Sequence, residues 1–311
     1  MVLMHKFKST TGLGVTQVLA GSALIALVAI FIKILVVDYA LPILVVAFWR
    51  NLFVCTALLT GLTLFKPELL RAGKQNIPIL AGYGFILTML NGVWGGSVYF
   101  NGASVATVLV YISIPLTVIG QWWLGGEKPS ARLIPSIVLC LIGCALVCGI
   151  QGMSDFALTP MGMFLGLFSG VFYAGYALMG RECALRGINP FTVLMHIFGF
   201  AALFMLIADL FSNGLIPGAA TSPAQILLPG VPLKVWGLIL ALAMGPTMAG
   251  WLLINMSLSK LTPSVASILL TTEPMMTALI AIPTLGEYMN TMQWAGCFLI
   301  LGVVIVLKKR G

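Results

Sequence analysis

The sequence has few residues that could perform acid–base chemistry. Only 8% of its 311 residues are charged, and the whole chain contains eight aspartates and glutamates and two histidines. No pair of carboxylates, histidine–carboxylate cluster or nucleophile–base spacing lies together at one end of the apolar runs, which argues against an enzyme. A glycine-rich phosphate loop is also absent, so we expect no cofactor and no direct use of ATP by this chain.

Cysteine is scarce as well, and the six cysteines give no disulfide framework. Cys140, Cys144 and Cys148 are spaced four apart and mark one stripe of a predicted helix. As metal ligands they would need histidine or carboxylate partners, which this helix lacks, so we predict no metal site. We interpret them as small packing residues of a lipid-embedded helix. An exposed stripe of this kind would permit a homodimer without requiring one, so monomer and homodimer both stay open.

Apolar residues, in contrast, make up 60% of the chain. They form runs of about 20 residues, the length of a helix that spans a bilayer. Since the first run is a full span and no clear cleavage site follows it, we interpret it as a helix and not as a signal peptide. We predict an all-α integral membrane protein with ten transmembrane helices, at residues 17–36, 42–64, 78–99, 103–124, 132–150, 160–180, 190–211, 234–254, 264–285 and 292–307.

The positive charges indicate the orientation of these helices. They lie between the apolar runs and form no basic face, so the net charge of +8 does not predict nucleic-acid binding. If the N-terminus is cytoplasmic, three basic residues lie outside or within a span: Lys33, Arg50 and Lys234. The other thirteen are then cytoplasmic, which favours cytoplasmic termini. They are Lys6, Lys8, Lys66, Arg71, Lys74, Lys128, Arg132, Arg181, Arg186, Lys260, Lys308, Lys309 and Arg310. The expected location is a bacterial plasma membrane.

The chain contains an internal repeat. Residues 33–42 are echoed by residues 181–190, a shift of 148 positions. Ser104-Val105-Ala106 recurs as Ser264-Val265-Ala266, and Gly126-Glu127 as Gly286-Glu287, a shift of 160. The difference fits an insertion in the Gly- and Pro-rich stretch 212–232.

We predict two five-helix repeats, at residues 17–150 and 160–307, between tails at 1–16 and 308–311. Because five is odd, the two repeats enter the membrane from opposite sides. Inverted repeats of this kind are typical of carriers that expose one site alternately to each side.

Small residues predict where helices approach closely. Gly162, Gly166, Gly170 and Ala174 recur every fourth position in the sixth run and form a smooth ridge for a neighbouring helix. In the third run, the stretch 91–96 combines an amide and a tryptophan with three glycines. Close packing is one interpretation of this stretch, and a helix segment that lines a cavity is the other.

Prolines interrupt the runs at matching places. Pro115 and Pro274 lie near the middle of the fourth and ninth runs, within one residue of the 160 shift, and the eighth run contains Gly245-Pro246. A proline removes one backbone hydrogen bond, kinks the helix and frees a carbonyl group at membrane depth. Matched interruptions of this kind point to the central site of a carrier, although any one of them also fits a purely structural kink.

Glu273 is the strongest functional candidate. A charge in hydrocarbon is costly, so an ionisable residue within a span is a functional candidate by default. Glu273 lies in the middle of its run directly before Pro274, and its counterpart in the first half is the neutral Ser113. A carboxyl group there suits the gain and loss of a proton during transport. The alternative is a protonated or hydrogen-bonded carboxyl group that holds helices together.

Two further ionisable residues lie within spans. Arg50, in the second run, has three interpretations: an ion pair with Asp38 at the first turn, which we favour, a side chain that extends to the surface, or a group that faces a substrate carboxylate. For the lone His196, we favour a packing role over a role in a proton relay.

Aromatic and amide side chains complete the candidate substrate site. They lie within the spans and could line a central cavity, although tyrosine and tryptophan also populate the membrane interfaces. With Glu273, the substrate-binding candidates are Asn91, Trp94, Tyr111, Tyr173, Tyr176 and Trp251.

The ten runs and the repeated motifs resemble the EamA-type branch of the drug/metabolite transporter superfamily. The resemblance covers residues 17 to 307, and its most specific stretches run from Ala103 to Pro115 with Leu124-Gly-Gly-Glu127, and from Leu261 to Pro274 with Leu285-Gly-Glu287. Pro42 followed by Arg50 also fits the pattern of the family.

The resemblance implies a ten-helix basket around a central cavity, walled mainly by helices 1, 3, 4, 6, 8 and 9, with helices 5 and 10 at the periphery. Members of the family move amino acids, other small metabolites or organic cations. We therefore expect a secondary transporter whose partners are a small-molecule substrate and the bilayer. Export of an amino acid or similar zwitterion is the main hypothesis, with Glu273 for any coupled proton, and export of lipophilic or quaternary cations is the alternative.

Overall fold

The fold is a bundle of helices. The computed structural model describes residues 2–125, 133–148, 159–212, 214–285 and 289–308, and these contain helices and no strand. Eight helices are long and apolar enough to cross a membrane, and two shorter apolar helices complete the predicted ten. They are α1 (Gly12–Asp38), α2 (Ile43–Phe65), α3 (Lys74–Gly102), α4 (Val105–Leu124), α5 (Leu133–Val147), α6 (Pro160–Leu185), α7 (Pro190–Ser212), α8 (Leu233–Leu258), α9 (Pro263–Thr284) and α10 (Thr291–Ile305).

The predicted N-terminal tail is part of a helix in the structure. The helix that contains α1 begins at Val2, so residues predicted as a tail extend the helix. The predicted repeat motifs Gly126-Glu127 and Gly286-Glu287 lie outside the described residues.

Prolines and threonines start several helices, for simple physical reasons. Pro42 precedes α2 and Pro190 opens α7, which are equivalent positions in the two echoed turns. A proline is tolerated there because the first N–H groups of a helix have no intrahelical acceptor. Thr159 and Thr262 precede α6 and α9, and each side-chain oxygen accepts a hydrogen bond from a backbone N–H three residues later.

The ridge of small residues on α6 packs against α3 and α4, as the sequence predicts. A Cβ atom added at Gly166 would overlap the side chains of Leu109 and Ser97. Ser97 Oγ donates a hydrogen bond to the carbonyl oxygen of Gly162, 2.8 Å away. The opposite face of α6 exposes large apolar side chains, among them Phe164, Phe168 and Val171, which suits contact with lipid.

The end of the bundle at which α1 begins is named the N-terminal face, and the opposite end the distal face. Successive spans alternate in direction, so α2, α4, α6, α8 and α10 begin at the distal face. The insertion between α7 and α8 packs on the first turns of α2 at this face: Leu44 N donates to Gly218 O at 2.9 Å, and Trp49 Nε1 donates to Ile226 O at 2.8 Å.

We predict that Gly170→Val lowers the free energy of unfolding by about 1–3 kcal/mol through overpacking. The added side chain would meet Ile112, the carbonyl oxygen of Val110 and the backbone N–H of Ser113. The matched control is Gly61→Val in α2, because Gly61 has no atom within 4 Å of the added Cβ. Thermal unfolding in detergent measures both variants, and equal melting temperatures would contradict the predicted contact.

Candidate functional site

A cavity of about 270 Å³ lies between the two halves of the bundle. It extends from Tyr173 and Trp251, in the middle parts of α6 and α8, to Val147 and Gln293 at the distal ends of α5 and α10. Six of the seven substrate-binding candidates line this one cavity: Asn91, Trp94, Tyr111, Tyr173, Trp251 and Glu273. The structure therefore brings together side chains from five different helices.

The seventh candidate, Tyr176, lies between the cavity and the N-terminal face. Its ring is packed against Trp251, with 4.5 Å between the ring centroids. Its hydroxyl accepts a hydrogen bond of 2.8 Å from Asn255 Nδ2, and Asn255 Oδ1 accepts one of 3.2 Å from the Tyr83 hydroxyl. This network fills the space between the cavity and the N-terminal face.

Two of the cavity helices are broken at equivalent positions. The backbone of α4 turns at Tyr111 and Ile112, and that of α9 turns at Thr271. Pro115 and Pro274 lie three or four residues after these turns, as expected for residues that cannot donate a hydrogen bond to the carbonyl four positions earlier. Pro274 thereby frees the carbonyl of Leu270.

The freed carbonyl has a partner from the other half. The Tyr111 hydroxyl donates to Leu270 O over 3.5 Å, a long hydrogen bond that joins the two breaks. The third predicted kink residue, Pro246, lies inside a π-helical segment of α8, Ala243–Ala249. Irregular turns of this kind are frequent at functional sites.

Glu273 lies directly after the α9 break, on the wall of the cavity. Tyr111, Tyr173, Cys144 and Cys148 are the described ionisable side chains that interact with its carboxyl group, and the Tyr111 hydroxyl is close enough to hydrogen-bond to it. In the described part of the chain, Glu273 makes no salt bridge; the ion pair between Glu182 and Arg186 lies on the surface of α6. The carboxyl group therefore has no cationic partner among the described residues.

Arg50 lines the same cavity and is only 5% exposed. Its Nη2 donates to Asn91 Oδ1 at 2.8 Å, while its Nε has no partner among the described residues. The structure does not bring Asp38 to it. Asp38 is exposed at the distal end of α1, whereas Arg50 lies eight residues beyond Pro42, about 12 Å along the axis of α2.

The cavity is closed toward the N-terminal face. Gln121 Oε1 accepts a hydrogen bond of 2.6 Å from Ser264 Oγ, which joins α4 to α9. Ser267 Oγ donates to Thr117 Oγ1 at 3.4 Å between the same helices. At the distal end, the described residues of α4 and α9 form no such hydrogen bond with each other. The cavity therefore reaches the distal face and not the N-terminal face.

Sequence reasoning missed several lining residues. The cysteine stripe of α5 does not face lipid: Cys140 and Cys144 are buried against Thr271, at the α9 break, and Cys148 lines the cavity. The helical spacing identified the stripe but not the direction it faces. Helix 10, expected at the periphery, contributes Gln293, whose Nε2 donates to Val147 O at 3.1 Å.

His196 plays no part in the cavity. Its Nδ1 lies 2.8 Å from the carbonyl oxygen of Thr192, one turn earlier on α7.

We predict that Asn91→Leu lowers the free energy of unfolding by about 1–3 kcal/mol, because the Arg50 guanidinium loses its acceptor. In an Arg50→Met background the same change should cost clearly less, since no buried donor remains. Unfolding of the four proteins in detergent completes this double-mutant cycle. Equal losses in both backgrounds would mean that the Arg50–Asn91 bond does not contribute to stability.

Comparisons with known proteins agree with this architecture. The model of the EamA-like transporter family matches the chain twice, at residues 12–149 and 160–308. A crystal structure of another protein matches with a TM-score of 0.74 and 16% identity over 97% of this chain and 98% of that one, which shows a shared fold. No curated protein matches the sequence. Because the family model covers both halves, the chain belongs to the EamA-like transporter family, whose members are membrane transporters of the drug/metabolite transporter superfamily.

Proposed function

We propose that this transporter moves amino acids or similar small zwitterions by alternating access. The observation that carries the proposal is the presence of a buried guanidinium, Arg50, and a carboxyl group, Glu273, in one cavity, with no salt bridge to either among the residues that the structure describes. A solute with both a carboxylate and an ammonium group would pair with Arg50 and with Glu273 at the same time. Uncompensated charges in a membrane span are costly, and a substrate that neutralises them explains their presence.

Arg50 would bind the carboxylate. A guanidinium offers a planar fork of donors that matches the two oxygens of a carboxylate. Asn91 accepts a hydrogen bond from Nη2, and the buried Nε has no acceptor among the described residues, so the guanidinium has donor capacity without a partner. Asn91 in turn is held by its own bond from Nδ2 to Leu87 O, which orients the guanidinium toward the cavity.

Glu273 would bind the ammonium group of the solute or the driving proton. Glu273 lies next to the α9 break, so a change in its charge would act on the part of the helix that can bend. The cavity volume of about 270 Å³ suits a small metabolite, since cavities for drug-sized ligands start at about 300 Å³.

The two inverted halves and their matched breaks support alternating access. The distribution of positive charges supports a cytoplasmic N-terminal face, and with that orientation the cavity would face outward in a bacterial plasma membrane. Export is the proposed direction of transport. A monomer and a homodimer are both compatible with this function.

Export of lipophilic or quaternary cations is the second candidate function. Trp94, Tyr173 and Trp251 around Glu273 would favour a bulky cation through cation–π contacts. Arg50 in the same cavity argues against it, because the guanidinium would repel such a solute. Competition of the flux by quaternary ammonium compounds but not by amino acids would select this alternative.

We predict that Arg50→Met reduces the flux of amino acids at least about tenfold, since a lost charged partner costs 2 kcal/mol or more. Amines of matched size without the carboxylate should lose much less. Mass spectrometry of a mixed pool in proteoliposomes measures both classes. Folding should persist, because an apolar residue in place of a buried charge is often neutral or stabilising. An equal loss for both classes would contradict the carboxylate role.

We also predict that Glu273→Gln abolishes flux driven by a pH gradient while the protein keeps its fold. The amide has the size of the carboxyl group but cannot release a proton. Thr284→Val, on the exposed side of the same helix, serves as the control for local disturbance. If Glu273→Gln transported as fast as the unaltered protein, Glu273 would have a structural role only.

A further inference from the structure

A line of buried polar side chains leads from the cavity toward the N-terminal face. On α4, Ser113, Thr117 and Gln121 follow one another every fourth residue, and on α9, Ser264 and Ser267 face them. These five residues are named the polar seam. Four of them are at most 7% exposed, although they lie among apolar helices. Burial of polar groups in such surroundings is costly, so a seam of five requires an explanation.

The inverted repeat relates the polar seam to the open cavity. The shift of 160 maps Ser113, Thr117 and Gln121 onto Glu273, Thr277 and Ala281, and all three of these line the cavity. The same shift relates Ser267 to Thr107, which also lines it. The two repeat-related contacts between α4 and α9 therefore differ. The helices are apart at the distal end, where they line the cavity, and in contact at the N-terminal end.

A small chamber connects the two regions. It has a volume of about 10 Å³, close to the space that one water molecule needs, and Ser113 and Ser267 are among its walls. Tyr111, Tyr173 and Trp251 line both this chamber and the large cavity, so they form the floor between them. The polar seam begins where the cavity ends.

We infer that the polar seam is the other half of the solute path. When the two halves exchange conformations, the seam opens to the N-terminal face, and its hydroxyl and amide groups contact the solute in place of Thr107 and Thr277. The inference rests on the proposed alternating-access function. It assigns the hydrogen bonds Gln121–Ser264 and Thr117–Ser267 to the closed gate of the present conformation.

Cysteine pairs at related positions test the inference. One variant combines Thr117→Cys with Ser267→Cys, whose parent oxygens lie 3.4 Å apart. The matched variant combines the repeat-related changes Thr107→Cys and Thr277→Cys, on the walls of the open cavity. Both contain Cys148→Ser, which removes the native cavity thiol. After mild oxidation in membranes, mass spectrometry maps the disulfides, and size-exclusion chromatography confirms that each variant is folded.

We expect the 117–267 disulfide to form at least about tenfold faster than the 107–277 disulfide, because the first pair is in contact in this conformation. Equal rates of formation for the two disulfides would contradict the assignment of the 117–267 contact to the closed gate of this conformation.

Accessibility provides the direct measurement. Ser264→Cys is added to the 107–277 variant, and its reaction with a membrane-impermeant thiol reagent is followed from the N-terminal face. We expect the 107–277 disulfide to raise the labelling rate about tenfold, while the exposed control Ser259→Cys is labelled equally in both states.

Unchanged labelling of Ser264→Cys, or no 107–277 disulfide after hours of oxidation, would mean that the seam is a fixed helix contact. The assay contains no solute, so an error in the proposed substrate class leaves its outcome unaffected.

Discussion

In a bilayer, every backbone N–H and C=O group needs a partner within the protein, because lipid offers none. This constraint makes the chain helical and confines its irregular turns to places where protein or a cavity can receive the freed groups. The turns at 111–112 and 271 obey it, since both border the cavity. The Tyr111 hydroxyl, which lies near Leu270 O, ties one break to the other. One hydrogen bond therefore joins the two halves at their breaks.

Close packing keeps the breaks in place. Gly170 is packed directly on the α4 break, and the cysteines of α5 lie against the α9 break. Small residues at these contacts let the helices approach closely. The large apolar side chains of α6 face outward instead. The bundle thus presents lipid-compatible surfaces outside and close helix contacts around the cavity.

The charges of the cavity show what sequence reasoning could and could not predict. Glu273 was identifiable from its depth in an apolar run and from the adjacent proline, two local properties. Arg50 was identifiable as unusual for the same reason, but its expected partner Asp38 was wrong and its partner is Asn91. A sequence gives distances along one helix, whereas Arg50 and Asn91 are 41 residues apart and meet only because α2 and α3 pack together.

The ten spans, the two related halves and the positions of the breaks are readable from the chain, because they follow from hydropathy, spacing and the missing N–H of proline. Which faces of the helices point inward depends instead on how the helices pack together. This packing turned the cysteine stripe of α5 away from lipid, brought Gln293 to the rim and left the polar seam closed while its repeat counterpart is open. Two related halves have the same local preferences, so their different packing is a property of the whole bundle.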